Sequence, residues 1–242
     1  MVYTNLILIL ALLSPVPTTQ RINAVSDISQ QFSFYMDGRF ARQYLREADR
    51  DVRNWGSLHR LDLSNANLLI LTGGNYRVPY TDAAGKRVAE FLHNGGAVLV
   101  RADFDEPMPP VTSIVGRYGA AFLETRVTQP LKGLLELANH KITFRRGSTL
   151  QLSSDWTPLI IDANGKPILA KRAVGQGTLI VGSRGLFGHK PDASDTINAE
   201  WVQPMLLQAP APKKIDPNAP HRRTLAENSY QSGPLIVEYH DG

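Results

Sequence analysis

The sequence contains no cysteine. That absence removes disulfides, thiolate metal sites, a lipid-anchored cysteine and any thiol nucleophile, so the fold must hold by packing alone. Long hydrophobic runs are almost as scarce: beyond the apolar stretch at residues 5–13, nothing approaches the length of a membrane-spanning helix. Nor is there a block of one charge. The 26 Lys and Arg are set against 22 Asp and Glu, for a net charge of +4, and they interleave as in Arg46-Glu47 and Asp49-Arg50-Asp51. This is the pattern of a solvated face rather than a phosphate-binding stripe. Arg145-Arg146 and Arg222-Arg223 are too short to make a nucleic-acid site, and no nucleic-acid partner is expected. Walker loops, dinucleotide fingerprints and Gly-x-Ser-x-Gly elbows are missing. The six histidines, at 59, 93, 140, 189, 221 and 240, show no metal-ligand spacing. Neither metal nor cofactor is expected.

What is present is an ordinary globular composition, 43% apolar over 242 residues, enough for one large domain with appendages. The run at 5–13 is followed by Ser14-Pro15-Val16-Pro17 and resembles the apolar region of a secretory signal, with Ala24 as a small residue at a cleavage point. The amino-terminal region lacks the usual Lys or Arg, and an uncleaved anchor is the alternative. The expectation is a signal over 1–24, a secreted or periplasmic protein, and no integral membrane span once the signal is removed.

Residues 31–36 alternate as a first strand would, and Asp37-Gly38 supplies its turn. Phe40, Tyr44, Leu45, Ala48 and Val52 fall at helical spacing, with Gly56 as the stop. The clearest unit runs from 66 to 103. Residues 67–72 form a continuous apolar run of the kind buried on both faces of a parallel sheet. Thr81 caps a helix whose apolar stripe is Ala84, Val88, Phe91 and Leu92, Gly95 ends it, and 97–100 form the next buried strand. Strand, helix and strand in this order predict a right-handed βαβ crossover and a parallel sheet with helices on its faces.

Further on, 111–118 reads as a short helix and 120–123 as a small strand. The runs 149–152, 157–162, 167–174 and 178–182 read as short strands separated by turns such as Asn164-Gly165, added antiparallel to one edge of the sheet. A last helix spans 198–208, bent or interrupted at Pro204. The fold class is therefore α/β: an open, mostly parallel sheet flanked by helices, with antiparallel additions in the second half. The domain runs over 25–208, a Pro- and Lys-rich linker over 209–233, and 234–242 begin a further strand or domain. The alternative is that this last run joins the main sheet.

The segment Leu71-Thr72-Gly73-Gly74-Asn75, the helix after it and Gly95-Gly96-Ala97-Val98-Leu99-Val100 resemble the class I glutamine amidotransferase-like superfamily, in particular its secreted, non-catalytic members and trehalose-utilisation-type domains. The likeness continues at 165–170, at 174–182 and at Asn198. In catalytic members a glycine-rich loop supplies oxyanion-binding amides, the next strand ends in a turn carrying cysteine, and a His and an acid near the last strand complete the triad. Gly73 and Gly74 match the first element, and His189 stands where the resemblance places its histidine. The nucleophile position falls on Arg101-Ala102-Asp103, which offers neither thiol nor hydroxyl, so His189 has no nucleophile to deprotonate.

Asp103, Asp105 and Glu106 cluster at the carboxyl end of a central strand, where α/β folds bind ligands; they read either as ligands for a metal or a sugar hydroxyl or as a polar loop. Trp156, beside Asp155, reads as core packing or as a sugar-stacking residue. Two functions are consistent with this pattern. The first is a catalytically silent domain, not a cysteine-dependent amidotransferase, acting as an interaction or scaffolding module for a protein partner or an attached downstream domain. The second is a carbohydrate-binding or carbohydrate-active domain. Its site would lie at the carboxyl edge, among Gly73, Gly74, Asn75, Arg101, Asp103, Asp105 and His189.

Overall fold

The computed structural model describes residues 22–27, 51–56, 58–59, 61–73, 79–103, 109–144, 146–188, 197–216, 231–232 and 235–236. The expected first strand at 31–36 and the body of the helix after it lie outside the described residues. Strand β1 is Asn23–Asp27, and it runs parallel both to β2 (Asp51–Gly56) and to β3 (Leu68–Thr72). Two expectations change here. Val52, read as the end of a helix, lies in β2. Ala24, read as a cleavage point, is a fully buried residue of an interior strand, so cleavage there and this sheet exclude one another. The sheet tolerates removal of a leader only ahead of Ile22.

The unit read most clearly forms as expected. β3 is followed by α1 (Asp82–His93) and β4 (Ala97–Ala102), and β3 and β4 pair in parallel with Leu68 opposite Ala97. Thr81 caps α1 by accepting the Ala84 amide at 3.3 Å, and Ala84, Val88, Phe91 and Leu92 are the side chains the helix buries. Gly95 takes a φ of +87°, a left-handed conformation that lets the chain turn out of the helix. The apolar runs of β3 and β4 serve two cores at once. Leu69, Leu71, Val98 and Val100 pack under α1, while Leu68, Ile70, Ala97 and Leu99 point to the other face and meet Trp201, Val202 and Leu206. Burial on both faces is why these strands read as continuous apolar runs rather than alternating ones.

Helix α2 (Pro109–Val115) is followed by a 3-10 turn and β5 (Ala120–Leu123). The later strands are β6 (Lys132–Gly133), β7 (Thr149–Leu152), β8 (Thr157–Ile161), β9 (Pro167–Val174) and β10 (Gly177–Ser183). The eight-stranded sheet has the order β2-β1-β3-β4-β10-β9-β8-β6. β9 and β8 are the antiparallel additions expected, and β6, which the sequence pattern did not indicate, extends them beyond β8. β10 is not one of them: it pairs parallel with β4, Thr178 opposite Ala97, and so completes the parallel half. β7 also leaves the expected pattern, forming a separate two-stranded ribbon with β5.

Helix α3 (Ala199–Gln208) runs through Pro204 and buries Trp201, Val202, Met205 and Leu206 on the second face. The chain after it, expected to be linker from residue 209, first docks on the domain. The Ala211 amide donates to the Gly95 carbonyl, Lys213 Nζ donates to the carbonyls of Ser64 and Ala66, and Asp216 and Asn65 exchange two hydrogen bonds of 3.0 Å. Burial pushes the Lys213 amine below its usual value, with Asp62 acting in the opposite sense. The rest of the linker, 217–230, lies outside the described residues. The apolar run near the end pairs locally, with β11 (Gln231–Ser232) antiparallel to β12 (Leu235–Ile236). Among the described residues no helix is long and apolar enough to cross a membrane.

Candidate functional site

Five parallel strands end on one edge, and α/β sheets bind ligands at such an edge because diverging strand ends leave a crevice there. β1 contributes Asp27, β3 contributes Thr72 followed by Gly73, β4 contributes Arg101 to Asp103, and β10 contributes Ser183. Asp27, Thr72, Arg101, Asp103 and Ser183 are all buried, a concentration of polar groups that burial permits only when they are hydrogen-bonded.

Their partners are other protein groups. The Gly73 amide donates to the Arg101 carbonyl at 2.9 Å, extending the β3–β4 ladder by one step. The donor expected to face a ligand oxygen is therefore committed to the sheet. Arg101 Nε donates to Thr72 Oγ1 at 2.9 Å. The Asp103 carboxylate accepts from the Ser183 hydroxyl and from the Ser148 amide, and that amide also points at Ser183 Oγ, 3.2 Å away. Asp27 accepts from the Tyr80 hydroxyl at 2.5 Å, and the Tyr80 amide donates to Ser113 Oγ, joining the β1 end to the start of α1 and to α2.

Residues 141–144 and 146–148 close this edge over β4 and β10. Asn198, just ahead of α3, clasps Thr143 through both its amide and its carbonyl, at 2.8 and 2.7 Å, and also donates to the Leu186 carbonyl. Two glycines bring the backbones close. A Cβ on Gly185 would overlap the Arg146 carbonyl, and one on Gly147 would overlap the Ser183 hydroxyl and crowd Asp103. Only glycine allows chain segments to approach at this distance. The strap is thus held at residue 143 by Asn198, at 146 by Gly185 and at 148 by Asp103 and Ser183.

Of the residues singled out from the sequence, Gly73, Arg101 and Asp103 lie together at this edge, while Gly74, Asn75, Asp105 and His189 lie outside the described residues. Asp103 does not present its carboxylate to solvent, because Ser183 and the strap cover it. Trp156 is a core residue: it is 6% exposed, and its indole nitrogen donates to the Tyr118 carbonyl at 2.8 Å. The sequence reading missed Asp27, which it placed beside the signal cleavage, Ser183, one residue past the expected strand end, and Ser148. The legible signals for the strap were Gly147 and Asn198.

No family model and no curated protein matches the chain. Among solved structures it is similar to a ThuA-like protein from Parabacteroides merdae, with a TM-score of 0.52 and 12% identity over 81% of this chain and 93% of that one. It is also similar to the N-terminal domain of mmIFT52, with a TM-score of 0.51 and 18% identity over 68% of this chain and 87% of that one. At such identities the likeness concerns the fold alone, an α/β fold with a mostly parallel sheet and antiparallel additions.

Proposed function

We propose that this chain is an exported, catalytically silent amidotransferase-like domain that works as an interaction module of an extracytoplasmic protein. The observation that carries the reading is the bond from Ser183 to Asp103 beneath the strap that Gly147 and Ser148 belong to. It occupies the strand end where the superfamily resemblance calls for a nucleophile. Arg101 and Ala102 add nothing nucleophilic there, and the Ser183 hydroxyl, which reaches Asp103 from β10, is fully buried and donates its proton to a carboxylate. A nucleophile needs an accessible oxygen or sulfur and a base to take its proton; Ser183 has a carboxylate partner but is itself fully buried. The carbohydrate reading of the same edge would require Asp103 and the Gly73 amide to leave their present partners.

The test of silence is ammonia release from glutamine by the purified chain, expected to match a buffer blank. Release above the blank that His189→Ala abolishes overturns the reading. Export rests on the apolar run at 5–13. Amino-terminal sequencing of protein recovered from a secreting host is expected to find a start at or before Ile22, since β1 begins at Asn23. Recovery of full-length protein from the cytoplasm alone refutes export.

A further inference from the structure

Away from the carboxyl edge, a cavity of about 490 Å³ opens between α3, the 3-10 turn Leu135–Leu137 and the antiparallel half of the sheet. Its size lies within the range of small-ligand sites, about 300–1,000 Å³. Its lining combines polar groups (Glu136, Lys171, Thr178 and Gln208) with the apolar surface of Ile180 and Met205.

The polar groups narrow the chemistry. Lys171 Nζ and Glu136 Oε1 are 2.5 Å apart, and each side chain is about two-fifths exposed. Burial opposes ionisation of Glu136, but the hydrogen bond and charge of Lys171, together with the residue's own amide, outweigh it and hold the carboxyl below the usual glutamate range. Paired in this way, the two side chains offset one another's charge on the cavity wall. Their mutual bond uses one of the three ammonium donors and one of the roughly four acceptor sites of the carboxylate. Thr178 and Gln208 can both donate and accept. Donors and acceptors thus stand side by side around an apolar floor, the complement of a molecule whose hydroxyls do both and whose C–H surface is apolar. The wall also holds Trp201, whose indole nitrogen is buried without a hydrogen-bond partner; an unpaired buried donor costs about 1–3 kcal/mol.

We infer that this groove is a binding site for a neutral mono- or disaccharide. It uses none of the residues of the carboxyl edge, so it stands or falls apart from the silent-module reading. The experiment is calorimetric titration of the full chain with glucose, galactose, maltose and cellobiose, with glucuronate and glucosamine as charged controls. At least one neutral sugar is expected to bind, at least tenfold more tightly than either charged control. Ala173→Trp fills the groove from an exposed position of β9; it and Lys171→Met should each weaken binding at least tenfold, with unchanged circular dichroism. Asp103→Asn should leave binding as it is. The inference is overturned if no neutral sugar binds, if a charged control binds more tightly, or if Asp103→Asn abolishes binding that Ala173→Trp spares.

Discussion

Replacing Gly147 with alanine tests whether the carboxyl edge is closed. The new Cβ would overlap the Ser183 hydroxyl and stand 2.5 Å from Asp103 Oδ1 and 3.1 Å from the Phe144 ring. Ser183 is fully buried and Asp103 is 7% exposed, so neither can swing aside into solvent. Either the strap lifts or the hydroxyl rotates, and both disrupt the network of Asp103, Ser183 and the Ser148 amide. Hydrogen bonds to a charged group contribute about 1.5–3 kcal/mol and overpacking costs about 1–3 kcal/mol, so the loss should be about 3–5 kcal/mol. That is a large fraction of a domain's usual stability of about 5–15 kcal/mol. Two other glycines serve as controls. Gly165, at φ +77° with nothing within 4 Å of an added methyl group, should lose only the left-handed penalty of about 1–2 kcal/mol. Gly116, which also has open space and no such φ, should stay within about 0.5 kcal/mol of wild type. Urea unfolding followed by circular dichroism measures all three, with the slope expected to be unchanged. If Gly147→Ala unfolds within about 0.5 kcal/mol of wild type, the strap does not rest on Asp103 and Ser183, and the silent-module reading loses its support.

Ser183→Ala, which leaves the Asp103 carboxylate short of one donor, should cost about 1.5–3 kcal/mol in the same urea assay; a neutral result would mean that the pair is not formed. Lys213→Met removes the donors to Ser64 and Ala66 and should cost about 1 kcal/mol, the contact being partly solvated. It should also open residues 209–216 to thermolysin, whereas equal protection in wild type and variant would show that the amine does not hold this segment. Glu136 has a folded pKa below its ordinary value of 4.5. Its contribution to stability is therefore present above 4.5 and lost as pH falls through the lower folded value. Glu136→Gln should shrink the acid-induced loss of stability across that window, and a steeper acid limb in the variant would contradict the sign.

The legible parts of this chain are those whose physics is local. Thr81, the stripe from Ala84 to Leu92 and Gly95 define α1 within one short segment, and the apolar runs on either side define β3 and β4. The short strands of the second half were legible from their turns, because Asn164-Gly165 and Gly175-Gln176 reverse the chain whatever lies opposite. Pairing was not legible in the same way. β10 follows a tight turn from β9, which reads as a hairpin, yet its other edge pairs with β4 about 80 residues earlier, and no local pattern encodes that partner. β1 was obscured for a different reason: a short strand soon after the apolar run at 5–13 reads like the end of a leader.

The candidate site divides along the same line. The sequence by itself determined that no thiol chemistry occurs, that Arg101, Ala102 and Asp103 stand at the end of a buried central strand, and that Gly73 follows its neighbour, since these follow from residue identity and from periodicity over a few turns. Only the tertiary structure decided what those residues do. Asp103 meets a hydroxyl 80 positions away and an amide 45 positions away, and the Gly73 amide completes a ladder with Arg101 instead of facing a crevice. Whether a buried polar group is a ligand's partner or the protein's own depends on which segments the fold brings within hydrogen-bond distance, and that is a property of the packed sheet and its strap.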